Sequence, residues 1–283
     1  QDIKNLGITS AGTPVEFFRP LVDADVRVCL GNIEFHYFAG YSGGAKAILP
    51  GCASRATVTA NHAMMILPEA CAGRLDGNPL REDIEEAVAL LGVDFILNVV
   101  VDGYHRIVGA FAGEVSAAHR QGCKLVAERG KVGIPKLGDI VVASAGGFPK
   151  DINLYQAHKA LESAKHAVRP GGILILVGEC PEGFGNQTFE SWMLSASSPS
   201  ELIERIQHEF VLGGHKAAAI AALQERNPIY IVSALPPESL KRSGLKPFDN
   251  LQEAVECALR ELGGDSQVLV LPEAVSILPE VCA

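Results

Sequence analysis

GDIVVASAGGFPKDINLYQAHKAL, residues 138–161, opens on an apolar run, turns through two glycines and a proline, and continues into a stretch with helical character. Asp139 to Ala145 reads as a strand and about Lys150 to Val168 as the helix after it. The pattern repeats downstream. GGILILVGE (171–179) reads as a second strand, helices follow within 199–225, then PIYIVSA (228–234), a helix over 250–262, and QVLVLP (267–272). Strands alternating with helices of this length imply a mostly parallel sheet covered on both faces. In such sheets ligands bind beyond the carboxyl ends of strands, where Gly146-Gly147-Phe148-Pro149 falls.

Upstream, Lys131 to Gly138 has the Gly and Pro content of a linker, so the break between domains is placed at 134/135, giving domains 1–134 and 135–283. In the first domain Asp25 to Leu30 reads as a buried strand closed by Gly31-Asn32. Ser54 is a candidate N-cap for a helix through RATVTANHAMM, and Asn78 before Pro79 is a stronger one, with Pro at the first helical position. Phe95–Val101 and His105–Ala112 are apolar runs joined by Asp102-Gly103, a hairpin signal, and Glu114 to Arg129 reads as helix. The fold class is therefore α/β: two α/β domains with mostly parallel sheets covered by helices and an active cleft between them.

Composition narrows the function. The 283 residues are 48% hydrophobic with a net charge of −9, which argues against general nucleic-acid binding and for a small-molecule partner. No stretch approaches the roughly 18 apolar residues of a membrane helix. The seven cysteines are scattered without a C-x-x-C pair, so they read as buried free thiols of a reducing cytoplasm and not as a disulfide framework or metal site. The chain begins with Gln1 and shows no signal-peptide pattern, which leaves a fragment open.

HYFAGYSGGAKAILPG, residues 36–51, holds the most unusual lysine. Ala45 separates Gly44 from Lys46 and Ala47 replaces the hydroxyl residue, so the loop is not a Walker A cradle; Gly183-x-Gly185 lacks the third glycine of a dinucleotide fingerprint. What remains is Lys46 in a loop of small residues, with His36 ten residues before it and His62 sixteen after it on a helix. A lysine amine can serve as nucleophile or covalent tether, and a neutral imidazole can ligate a transition metal or exchange protons. Singly, each residue is as well explained as a surface ammonium, an edge histidine and a helix histidine bonded to a carbonyl.

Taken together, HYFAGYSGGAKAILPG, ANHAMM, LDGNPLREDIEEA, DFILNVV, GGFPKDINLYQAHKAL and GGHKAAA resemble the nickel-dependent lactate racemase family, whose members racemise or epimerise 2-hydroxy acids. The resemblance covers most of the chain. It implies that Lys46 is joined covalently to a nickel-pincer nucleotide (nickel pyridinium bis-thiocarboxylate mononucleotide) beside Ser42, Gly43 and Gly44. It implies further that His62 ligates the nickel, that His36 is one of two acid–base catalysts, and that Tyr155, Gln156 and Lys159 meet the substrate carboxylate. Tyr155, Gln156 and Lys159 fit one helical neighbourhood and offer a charge and hydrogen-bond donors.

The sequence also departs from the family pattern. Family members carry an additional N-terminal region that supplies the second histidine in a THRP-like context and groups for the cofactor phosphate, and no such segment stands here. His105, His119, His158, His166 and His208 read as surface or structural. His215 stands where the lactate enzyme places an aromatic residue, so a more polar or sugar-derived hydroxy acid is as good an expectation as lactate. The implied partners are that hydroxy acid, the cofactor-synthesis enzymes and the missing N-terminal region as a separate piece or chain, in the cytoplasm, with no nucleic acid or membrane. Two alternatives stay open: a Schiff-base enzyme using Lys46 on a carbonyl substrate, and a cofactor-free binding module retaining the fold.

Overall fold

The computed structural model describes residues 2–103 and 106–282, which form two compact units, residues 1–131 and 132–283. In the first, β1 (Ile3–Ile8) and β2 (Pro14–Phe18) pair antiparallel and lead through a single turn, α1 (Arg19–Val22), to β3 (Val28–Asn32). A small hairpin, β4 (Phe35–His36) with β5 (Gly40–Tyr41), precedes the lysine loop. Then come α2 (Arg55–Ala63), α3 (Pro79–Leu91), β6 (Phe95–Val101), β7 (Ile107–Gly113) and α4 (Val115–Gly130).

The caps expected from sequence are formed. Ser54 Oγ accepts the Thr57 N–H at 3.1 Å and Asn78 Oδ1 accepts the Arg81 N–H at 3.2 Å, each satisfying a donor the first helical turn leaves unpaired. The strand expected over 25–30 lies two to three residues later, because Val28 and Asn32 mark the register in which β3 runs parallel to β6, and it is not buried as expected: Cys29 faces the core while Val28 and Leu30 are exposed. The sheet order is β3-β6-β7, with β7 antiparallel to β6, so one face packs under α4 through Ile96, Asn98 and Val100. His105, expected to begin the second hairpin strand, lies outside the described residues.

In the second unit β8 (Lys131–Ile134) occupies the stretch expected to be a linker. It is a strand because a partner from the far end of the chain, the last strand, pairs with it, which no local pattern could announce. There follow β9 (Gly138–Ser144), α5 (Leu154–Ala164), β10 (Val168–Val177), α6 (Gln187–Ser195), α7 (Pro199–His208), α8 (Gly214–Gln224), β11 (Ile229–Val232), α9 (Pro237–Arg242), β12 (Lys246–Phe248), α10 (Leu251–Leu262), β13 (Val268–Leu271) and β14 (Leu278–Val281). The sheet is parallel throughout, in the order β12-β11-β10-β9-β13.

Its central strands are continuously apolar over residues 140–143 and 173–177 because both faces are covered there. Val141, Ala143, Leu174 and Leu176 point into a core with α5, α6 and α8, whereas Ile140, Val142, Ile173 and Ile175 point the other way, into a core with α10. Each fully buried Leu or Ile contributes about 1.5–3 kcal/mol relative to an exposed one. The helix expected over 150–168 is shorter than that at both ends. Asn153 caps it, accepting the Gln156 N–H at 3.0 Å, and Val168 is already committed to β10.

Candidate active site

The lysine loop leaves β3 and is fixed from below. Ser42 Oγ donates to the Asn32 carbonyl at 2.9 Å and accepts the Glu34 N–H at 2.9 Å. The Gly44 N–H donates to Asn98 Oδ1 at 2.7 Å, and His119 Nε2–H donates to the Ser42 carbonyl at 2.7 Å. Gly43 and Gly44 take φ of 74° and 56°, and a Cβ on Gly44 would lie 2.8 Å from the His119 ring. Only glycine both adopts that backbone and allows the approach. Residues Gly44–Ala47 then make a 3-10 turn that presents Lys46.

His119, read from sequence as surface or structural, is a buried strut. Its Nδ1 accepts from Arg81 Nη2 at 3.0 Å, and Arg81 is itself 1% exposed, with Nε donating to Glu85 at 2.8 Å. Burial, and then the neighbouring guanidinium, lower the His119 pKa to about 3. It is therefore a neutral spacer between the α3 guanidinium and the loop.

Above the loop three predicted residues converge on one ring. The Phe38 centroid lies 4.4 Å from that of His36, 5.0 Å from that of His62 and 5.5 Å from Lys46 Nζ. Phe38 was not singled out in the sequence, where it is one aromatic among several.

His62 is 5% exposed, and its tautomer follows from its neighbour. Asn61 Nδ2 donates to the Leu80 carbonyl at 3.1 Å and to Asp83 Oδ2 at 2.8 Å, which turns Asn61 Oδ1 toward His62 Nδ1 at 3.1 Å as an acceptor. Nδ1 must then carry the proton, and the lone pair stands on Nε2. That is the arrangement of a metal-ligating histidine held by a hydrogen-bonded partner. His36 has the opposite pattern: its Nδ1 accepts the Ala39 N–H, but at 3.3 Å the bond is long and weak.

In the second unit, Tyr155, Gln156 and Lys159 lie half-buried on the first turns of α5. Burial raises the Tyr155 pKa, so its hydroxyl is a donor at neutral pH. A residue absent from the sequence reading joins them. Lys216, in the first turn of α8 and 5% exposed, donates from Nζ to the Tyr155 carbonyl at 2.7 Å and lies 3.6 Å from the centre of the Tyr155 ring. Burial, and then Lys159, lower its pKa to about 6. The available signal was a lysine in a helical first turn without an acidic neighbour, opposing the helix dipole.

His215 beside it is 3% exposed, accepts the Gly213 N–H on Nδ1 at 3.1 Å and has its pKa lowered to about 4 by burial. His158 is buried, with Nδ1 donating to the Tyr155 carbonyl at 3.0 Å, whereas His208 is exposed and His166 half-buried. The cysteines are free, but only Cys29, Cys123 and Cys180 are buried; Cys282 is exposed, which corrects the expectation of uniformly buried thiols. Among the described residues, no three His, Cys, Asp or Glu side chains are grouped to hold a metal, and no helix is long and apolar enough to cross a membrane.

Comparison with known proteins identifies the family. The lactate racemase N-terminal domain model matches residues 1–73 and the lactate racemase C-terminal domain model matches residues 135–279. A lactate racemase of Thermoanaerobacterium thermosaccharolyticum is 34% identical over 285 residues, covering 98% of this chain and 67% of that protein. One of Lactiplantibacillus plantarum is 32% identical over 264 residues, covering 90% of this chain and 62% of that protein. The chain thus spans about two thirds of the length of these relatives or somewhat less. The structure of the lactate racemase apoprotein from T. thermosaccharolyticum superposes with a TM-score of 0.94 over 98% of this chain and 68% of that one. A Thermotoga maritima protein shares the fold at a TM-score of 0.76 and 17% identity. Both domain models and a relative matched across nearly the whole chain show that this chain belongs to the lactate racemase family.

Proposed function

We propose that the chain serves a nickel-dependent racemase or epimerase of 2-hydroxy acids, with lactate or a more polar hydroxy acid as substrate. The observation that carries the reading is the convergence of Lys46, His36 and His62 on the Phe38 ring, with the lone pair of His62 on Nε2. The donor set fits a nickel-pincer nucleotide. One oriented imidazole suits a metal whose remaining ligands come from a bound organic group, and a lysine in a loop of small residues suits a tether. The lactate racemases among its relatives support the reaction class.

The chemical problem is C2. Its hydrogen is too weakly acidic for an imidazole to remove as a proton, and the bound nucleotide supplies reversible hydride acceptance there. The chain's residues do the rest. Lys46 would hold the nucleotide through its amine, and His62 Nε2 would hold the metal. Tyr155, Gln156 and Lys159 bind the carboxylate and so orient C2. His36 exchanges the proton of the 2-hydroxyl at Nε2. To accept it there the ring moves its own proton to Nδ1, giving up the weak bond from the Ala39 N–H.

The test is intact mass and metal content of the full-length protein produced alongside the cofactor-synthesis enzymes. The expected result is a mass increase on Lys46 and stoichiometric nickel, the first lost in Lys46→Ala and the second in His62→Ala. Robust racemase activity with unmodified Lys46 would overturn the mechanism.

A further inference from the structure

The cations around Tyr155 have no carboxylate in ion-pair contact among the described residues. Among the described residues no carboxylate oxygen lies within 4.0 Å of the Nζ of Lys159 or Lys216, and the nearest acidic side chain on α5, Glu162, is engaged by Lys165 at 2.6 Å. In an α-helix the carbonyl of residue 155 faces residue 159. The Lys216 Nζ, 2.7 Å from that carbonyl, therefore sits at the turn from which the Lys159 side chain leaves α5.

We propose that Lys216 is the second cation of the carboxylate site on α5, taking up a proton as the carboxylate of a 2-hydroxy acid docks on Lys159. This rests on the functional reading of Tyr155, Gln156 and Lys159 given above.

Three features support it. Lys216 is buried, so its ammonium is disfavoured until an anion is near. The repulsion between the two lysines, one of the causes that lower its proton affinity, is what a docked carboxylate removes. The face of Tyr155 and its carbonyl, 3.6 and 2.7 Å away, give the ammonium a seat once formed. The titratable groups that reach Lys216 are Lys159, Glu162 and His158 from α5 and His215 from α8. Neither histidine carries a proton near pH 7, since burial lowers both. Helix α6 meets the cluster with Phe189 and Trp192, and Arg205 of α7 is turned onto the Trp192 ring at 4.2 Å. Burial and the neighbouring Lys159 bring the charge change of Lys216 down to about pH 6.

The consequence is linkage. Binding that carries a proton with it weakens by up to about tenfold for each pH unit above the free-state pKa. The experiment is calorimetric titration of the chain with sodium L-lactate and with sodium propionate between pH 6.5 and 8.5, in buffers of different ionisation heat.

The expected result is fractional proton uptake with lactate and affinity that falls several-fold across the range. Lys216→Arg, permanently charged, should bind lactate with no uptake and a flat pH profile, and Lys216→Met should bind more weakly and also flat. Binding without uptake by the unmodified chain, or an unchanged slope in Lys216→Arg, overturns the proposal while leaving the functional reading in place. Uptake with propionate bound as tightly as lactate leaves Lys216 standing and counts against the hydroxy-acid reading. No binding of either anion overturns both.

Discussion

Acid should loosen the first unit through one residue, His119. In the folded chain its pKa is about 3, against the ordinary histidine value of 6.5, so the unfolded chain binds a proton that the folded one refuses throughout that interval. Stability is unaffected above pH 6.5, declines as pH falls below it, and has lost the whole contribution by about pH 3. The slope is about 1.4 kcal/mol per pH unit, so going from pH 6.5 to 4.5 costs about 2.5 kcal/mol.

The structure gives the reason for the refusal. A proton on Nδ1 would face the Arg81 guanidinium now donating to it at 3.0 Å, in a site with no exposure. His119→Gln keeps a donor and an acceptor without the titration. It should be less stable at pH 7 by about 1–3 kcal/mol, through imperfect hydrogen bonds, yet flatter in acid. Trp192, the sole tryptophan, is in the second unit and reports the wrong part of the molecule. The better probe is Cys123, buried beside His119 with Sγ 3.5 Å from Nε2, whose alkylation requires unit one to open. Pulse alkylation across urea gradients at several pH values gives the stability of that unit. Parallel pH dependence in the two proteins would refute the assignment.

Other perturbations test the same architecture. Gly44→Ala combines a left-handed backbone with a Cβ 2.8 Å from the His119 ring; a loss of about 2–4 kcal/mol is expected in the same assay. Asn61→Leu removes the acceptor that sets the His62 tautomer, and nickel retention measured during chelator challenge should fall about 10–100-fold. Gly214→Ala places a methyl 2.7 Å from the Trp192 ring, so the tryptophan emission should shift and the second unit lose about 1–3 kcal/mol in urea.

What the sequence determined by itself is what local chemistry controls. The caps at Ser54 and Asn78, and the apolar runs that become β9 and β10, act within a few residues of themselves, so they could be read directly. The lysine loop and its two histidines were legible as candidates because their spacing matched a known pattern. The tertiary structure decided the rest. A strand replaced the expected linker at Lys131–Ile134 because its partner β14 comes from the end of the chain. Phe38 gathers Lys46, His36 and His62, and His119 reaches Ser42 across 77 positions. Lys216 reaches Tyr155 across 61. None of these leaves a periodic trace, since a buried polar contact depends on which surfaces the folded chain brings together and not on the residues beside it.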